Sequence, residues 1–168
     1  MARVQVQVFD EFLVSVEAGW LTSVAETALC VEECEQEGLI SVVIADDETV
    51  SGLNIDHRGL ETTTDVLSFS NVHSGTYYGT DSRDAGVFDF VLPPGHQSGL
   101  GEVIISLPQA ERQAEEVGHS LLNEVAALVA HGIFHLLGYD HEVESDAVVM
   151  QTKEIDARDA MRKNGLID

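Results

Sequence analysis

Three histidines, His131, His135 and His141, fall in the run His131-Gly-Ile-Phe-His135-Leu-Leu-Gly138-Tyr-Asp-His141. The first two are four residues apart, so on a helix both imidazoles leave one face about a turn apart. That separation suits two neighbouring positions around a tetrahedral zinc ion. Gly138 can take the left-handed backbone that stops a helix and turns the chain, letting His141 reach the same ion from outside the helix. Three neutral imidazoles leave a fourth position open, the arrangement of a catalytic zinc rather than a structural one. Paired histidines at helical spacing also occur as plain surface or core groups. Here the surrounding helix is apolar, and an imidazole buried unpaired on it would be costly. The expected cofactor is therefore Zn2+, one per chain.

The same spacing occurs in metzincin proteases, whose motif H-E-x-x-H-x-x-G-x-x-H carries a glutamate as general base. Gly132 stands at that position. Proteolysis in that manner would lack its base unless Asp140, Glu142 or a distant carboxylate replaced it. A metallohydrolase of peptides or small molecules is accordingly the second reading.

The elements that must position these residues follow from periodicity. Arg3 to Phe9 alternates apolar and polar residues and predicts a half-exposed strand. Gly19 to Glu37 carries a helical stripe ended by Gly38, and Leu39 to Ala45 predicts a buried strand. A short helix over Asp47 to Leu53 precedes strands at Val66 to Ser70 and Leu100 to Ser106. Between those strands, Asn71 to Gly99 is rich in glycine, serine and proline. It reads as a long, flexible excursion, with Val87 to Leu92 as one arm of a hairpin. Pro108 opens a helix through Val117. Ser120 caps the most clearly marked helix, which runs to Leu137, is apolar nearly all round and is therefore central and buried. A last amphipathic helix spans Glu142 to Lys163. The expected architecture is α+β: one small mixed sheet of about four strands, packed on helices around a central buried helix with a zincin-like metal site. Residues 1–168 are expected to form a single metal-dependent hydrolase domain.

Composition limits the partners. Thirty acidic residues against 8 basic ones give a formal charge of −22. Such a surface repels RNA on average, so a phosphate site needs local positive charge from a metal ion and a few arginines. No apolar run approaches the roughly 20 residues of a membrane span, and the alternating N-terminus has no signal-peptide core. A cytoplasmic protein with no membrane association is expected. Cys30 and Cys34, four apart in the first helix, read as reduced, buried or half-buried thiols, because a disulfide there would close almost no loop.

With these residues in view, the histidine run resembles the signature H-G-x-L-H-L-x-G-Y-D-H of the YbeY rRNA-maturation endoribonucleases, Phe134 replacing a leucine. Two further blocks are similar: Leu53-Asn54 with Arg58-Gly59 and Thr64-Asp65-Val66-Leu67-Ser68-Phe69, then Leu100-Gly101-Glu102-Val103. The resemblance covers about residues 40 to 160. It implies a zinc-dependent, single-strand-specific endoribonuclease in 16S rRNA 3′-end maturation and ribosome quality control. It also implies rRNA and the small ribosomal subunit as partners, with a ribosomal protein and the GTPase Era beside them. His131, His135 and His141 match the family's zinc ligands, and Arg58 matches the arginine linked to activity. Arg58 could grip a phosphate oxygen in its guanidinium fork and stabilise developing negative charge. Asp65 and Ser68 are candidates to line the cleft, with a turn-capping role equally open to Asp65, whereas His73, His96 and His119 are read as non-ligands. The chain departs from the family at His57 (often tyrosine), Ser70 (commonly proline) and Glu102 (usually aspartate). A zinc-stabilised ribosome-assembly factor without catalysis is the non-enzymatic alternative.

Overall fold

The computed structural model describes residues 2–32, 37–59, 64–70, 99–139 and 144–168, the side chains of His57, Arg58 and Glu144 excepted. Along the chain run β1 (Arg3–Val8), a 3-10 turn (Asp10–Phe12), α1 (Ala18–Val31), β2 (Leu39–Ala45) and α2 (Asp47–Arg58). Then come β3 (Val66–Ser70), β4 (Gly99–Ser106), α3 (Leu107–Val117), α4 (Leu121–Leu136) and α5 (Glu144–Lys163). The strands form one mixed sheet in the order β1-β2-β4-β3. The β1–β2 and β2–β4 pairs are parallel, and β3 is antiparallel to β4. The expected α+β class and four-stranded sheet are those observed. The expected excursion at residues 71–99, with its hairpin arm, lies outside the described residues except for Gly99, which opens β4.

Side chains alternate across a strand, and both faces of this sheet are covered. One face presents Ile40, Val42, Ile44, Val103 and Ile105 to a core shared with α1, α4 and α5. On the other, Ala45, Leu67, Phe69 and Ile104 pack against Val50 of α2. Parallel neighbours require crossover connections, and α1 supplies the one between β1 and β2. The edge strand β1 keeps the anticipated alternation, with Arg3, Gln5 and Gln7 exposed.

Two helix ends and the exposure of one thiol differ from the sequence reading, each for a local reason. Helix α1 ends at Val31, well before Gly38, whose carbonyl instead accepts from the Arg3 amide at 2.8 Å where β1 meets β2. Helix α2 runs past Leu53 to Arg58 and stops at Gly59 in the left-handed conformation (φ 66°), its amide bonded to the Ile55 carbonyl. Cys30 is a free, exposed thiol rather than a half-buried one. The buried stripe Leu21, Val24, Ala25, Ala28 and Leu29 turns position 30 outward; Cys34 lies outside the described residues.

Helix α4 is the centre, as its all-round apolar sequence implied. Ser120 caps it by accepting from the Asn123 amide, and Val125, Ala126, Val129, Ala130, Ile133 and Phe134 have no exposed surface. At Gly132 the helix lies directly against the sheet. A Cβ at that position would lie 2.6 Å from Val103 Cγ1 and 3.1 Å from Ser68 Oγ. The Ser68 hydroxyl also donates to the Gly132 carbonyl at 3.3 Å. Ser68, one of two candidates to line the cleft, is therefore a buried link between β3 and α4. In an exposed helix, Gly→Ala stabilises by about 1 kcal/mol. Here the sign reverses: Gly132→Ala is expected to cost about 1–3 kcal/mol through overpacking. Urea denaturation of the two proteins checks it, and a gain in stability would contradict the contact.

Candidate metal centre

His131 and His135 leave α4 on one face, as their spacing required, in its last turn and a half. Their Nε2 atoms stand 3.0 Å apart, and the rings meet edge to face with centroids 4.5 Å apart. Each Nδ1 has its own partner. His131 Nδ1 lies 2.5 Å from Glu154 Oε1 on α5, and His135 Nδ1 lies 3.0 Å from the Tyr139 carbonyl. A carbonyl only accepts, and so does an ionised carboxylate. In neutral rings both protons therefore sit on Nδ1, and two Nε2 lone pairs face each other.

That donor set suits a cation. Two nitrogens bound to one tetrahedral zinc at about 2.0–2.1 Å would lie about 3.3 Å apart, a few tenths of an ångström from the separation seen. Metal-binding histidines commonly donate their other ring N–H to a carboxylate or backbone carbonyl, which fixes tautomer and ring orientation. Both partners of that kind are present. The C-terminal end of α4 adds the negative pole of its dipole. Among the described residues no group of three metal-binding side chains forms. His141, expected as the third ligand, lies outside the described residues. The Arg58 side chain does too, although its backbone is placed as the last residue of α2.

The turn after α4 completes the setting. Gly138 adopts φ 100°, a left-handed conformation that favours glycine, and the Tyr139 amide bonds back to the Phe134 carbonyl. This folds the Tyr139 carbonyl onto His135. The Tyr139 hydroxyl donates to Glu32 Oε1 at 2.6 Å, and Lys153 Nζ lies 3.4 Å from Glu32 Oε2. Burial first, then the Glu32 hydrogen bond and charge, push this hydroxyl up to about 12. It stays a proton donor over the physiological range. Sequence reasoning missed Glu154, Glu32 and Lys153, because partners on distant elements leave no spacing signal.

Other candidates separate cleanly. His119 is engaged with Glu124 at the opposite end of α4, in keeping with its reading as a non-ligand. Glu102 is pushed up by burial. It shares the face of β4 that carries Ile104 and packs towards α2, away from Val103 and the histidines. Asp65 does line a cleft with His131, its Oδ1 accepting from the Val66 amide at 2.8 Å.

A family model described as Endoribonuclease YbeY matches residues 10–162. The chain is 40% identical over 136 residues to a protein named Endoribonuclease YbeY from Pelotomaculum thermopropionicum, covering 81% of this chain and 80% of the relative. Another so named from Dehalococcoides mccartyi is 38% identical over 154 residues, covering 91% and 87%. A solution structure from Thermotoga maritima superposes with a TM-score of 0.59 at 20% identity, covering 99% of this chain and 95% of that one; it bears on the fold alone.

The Tyr139–Glu32 bond gives a pH-dependent prediction. Tyr139→Phe is expected to destabilise by about 1–3 kcal/mol near neutral pH, since it strips a donor from a carboxylate. A folded pKa raised above the ordinary value of about 10 means the contribution is full below that pH. It is lost as pH rises through about 12. Denaturant curves of wild type and Tyr139→Phe should thus differ at pH 8 and converge on the alkaline side; parallel curves throughout would contradict it.

Proposed function

The chain belongs to the Endoribonuclease YbeY family, and from that premise we propose a single-domain, zinc-dependent endoribonuclease that cuts single-stranded RNA in 16S rRNA 3′-end maturation and ribosome quality control. The observation that carries the metal part is the pair of Nε2 atoms 3.0 Å apart with both Nδ1 atoms engaged elsewhere. His131, His135 and His141 would hold the ion. When bound, zinc supplies a Lewis acid for a phosphodiester oxygen and lowers the pKa of a bound water towards about 7.

The protein's own groups do the positioning. Glu154 and the Tyr139 carbonyl keep the ring protons on Nδ1, so that both Nε2 atoms face the reacting centre. Arg58 serves as the guanidinium fork that holds a non-bridging oxygen and stabilises charge as it develops. Peptide hydrolysis of the metzincin kind is disfavoured physically, because the contact at Gly132 leaves no room for the glutamate such a mechanism places there. The partners in this reading are rRNA on the small ribosomal subunit, a ribosomal protein and the GTPase Era, in the bacterial cytoplasm. No single described helix is long and apolar enough to cross a membrane. The formal charge of −22 favours one second reading, an assembly factor whose zinc serves stability.

Zinc-loaded wild type, His135→Ala and Arg58→Ala incubated with single-stranded rRNA fragments separate these readings. Cleavage should vanish in the first variant and fall about 10²–10³-fold in the second. Equal cleavage by all three would mark a contaminating nuclease and remove the enzymatic reading. Inactive but zinc-stabilised wild type would favour the assembly factor. Independently of activity, Glu154→Ala should weaken zinc binding about 10–100-fold in competition with a chromophoric chelator. Unchanged affinity would show that the carboxylate does not support His131.

A further inference from the structure

A cleft of about 270 Å³ opens beside His131, between α4, α5 and the start of β3. Val66, Ala127 and Leu128 give it an apolar side, and Asp65, Glu154 and Arg158 a polar one. Both carboxylates are committed to protein donors: Glu154 to His131 Nδ1 at 2.5 Å, Asp65 to the Val66 amide at 2.8 Å.

Arg158 is different. It is half-buried, yet among the described residues it makes no hydrogen bond or ion pair. Arg112, Lys153 and Arg162 each pair with a carboxylate, on Asp47, Glu32 and Asp159. In a chain with 30 acidic and 8 basic residues, carboxylates greatly outnumber the cations that seek them. A guanidinium that pairs with none of the described carboxylates, and faces a cleft, has its five donors directed there. Its place is also specific. Arg158 is four residues after Glu154 on α5, so the two share a helix face about one turn apart. The carboxylate that aims His131 and this arginine therefore address the same cleft.

We propose that Arg158 binds a phosphate of the RNA strand, the one next to the bond being cut, while the adjoining nucleoside rests on Ala127, Leu128 and Val66. The proposal rests on the ribonuclease reading above and names part of its substrate site. The fork geometry of arginine matches phosphate in a bidentate manner that a lysine cannot reproduce. The cleft volume lies just under the usual 300–1,000 Å³ range of ligand pockets, which suits one nucleotide unit rather than a duplex.

The test compares zinc-loaded wild type, Arg158→Ala and Arg158→Lys. One arm measures fluorescence anisotropy of a cleavage-resistant, 2′-O-methyl single-stranded oligonucleotide over a salt series. A second is calorimetric titration with adenosine 5′-monophosphate. Arg158→Ala should weaken oligonucleotide binding about tenfold and reduce the slope of log K against log salt by about 0.7, one phosphate contact on a single strand. Arg158→Lys should keep the slope with weaker binding, and zinc affinity should be equal in all three. Nucleotide binding that depends on Arg158 in a protein that cuts no RNA would sink the ribonuclease reading and leave this subsite standing. Oligonucleotide and nucleotide binding unchanged in Arg158→Ala, or no saturable binding by wild type, overturns the proposal.

Discussion

Helix α4 rests on β3 and β4 at a distance that only a residue without a side chain permits, and the histidines take their places from that contact. At Gly132 a Cβ would stand 2.6 Å from Val103 Cγ1. Interiors packed to crystal-like density have no slack to absorb such an atom. Seating α4 there fixes the rotation of the helix, and with it the direction in which positions 131 and 135 point. It also decides chemistry by exclusion, since a base borne on residue 132 would have to occupy the space that Val103 fills. One packing contact thus sets both where the histidines are and what cannot stand beside them.

The second support comes from α5, whose adjacent residues Lys153 and Glu154 serve two sides of the same centre. Glu154 holds His131 directly, whereas Lys153 acts at a remove, through Glu32 and the Tyr139 hydroxyl. The Tyr139 carbonyl then reaches His135. Groups linked in this way are held more firmly than their separate bonds suggest, and removing one partner leaves a desolvated charge behind. The side-chain buttress of the centre thus comes from Glu32, the residue that caps the end of α1, and from α5.

Locality decides how much of this was legible in the sequence. The i, i+4 histidines, the Ser120 cap and the left-handed Gly138 are written within a few residues of one another, and the structure places each as read. The four-stranded mixed sheet also followed from counting periodic segments, but its order β1-β2-β4-β3 is a long-range pairing that no local pattern encodes. Glu154 was invisible for the same reason: its partner lies 23 residues away, and on α5 it looks like any solvated acid. Gly132 was read only as a missing base, because the sequence does not show what packs against it. Ser68 passed for a cleft residue until its bond to the Gly132 carbonyl placed it in the interior. Arg58 and His141 continue to rest on motif and family.

Charge sets the remaining constraint. A protein that grips nucleic acid over a broad surface gains affinity by releasing counterions, roughly in proportion to the phosphates it neutralises. A chain at −22 has few cations for that purpose, and Arg112, Lys153 and Arg162 are engaged with carboxylates. Long-range repulsion instead slows the approach of free RNA, although it is screened within about 8 Å at physiological ionic strength. Short-range attraction must then come from the cleft itself, where an ion on the histidines and Arg158, unpaired among the described residues, would concentrate positive charge against an apolar wall. Such a site discriminates by what can enter it, not by overall electrostatic pull. A strand held out by another body, with its neighbouring phosphates covered by that body's own cations, meets the repulsive surface over only a nucleotide or two. The acidic composition that argues against a general RNA binder is therefore compatible with a nuclease whose substrate is presented to it.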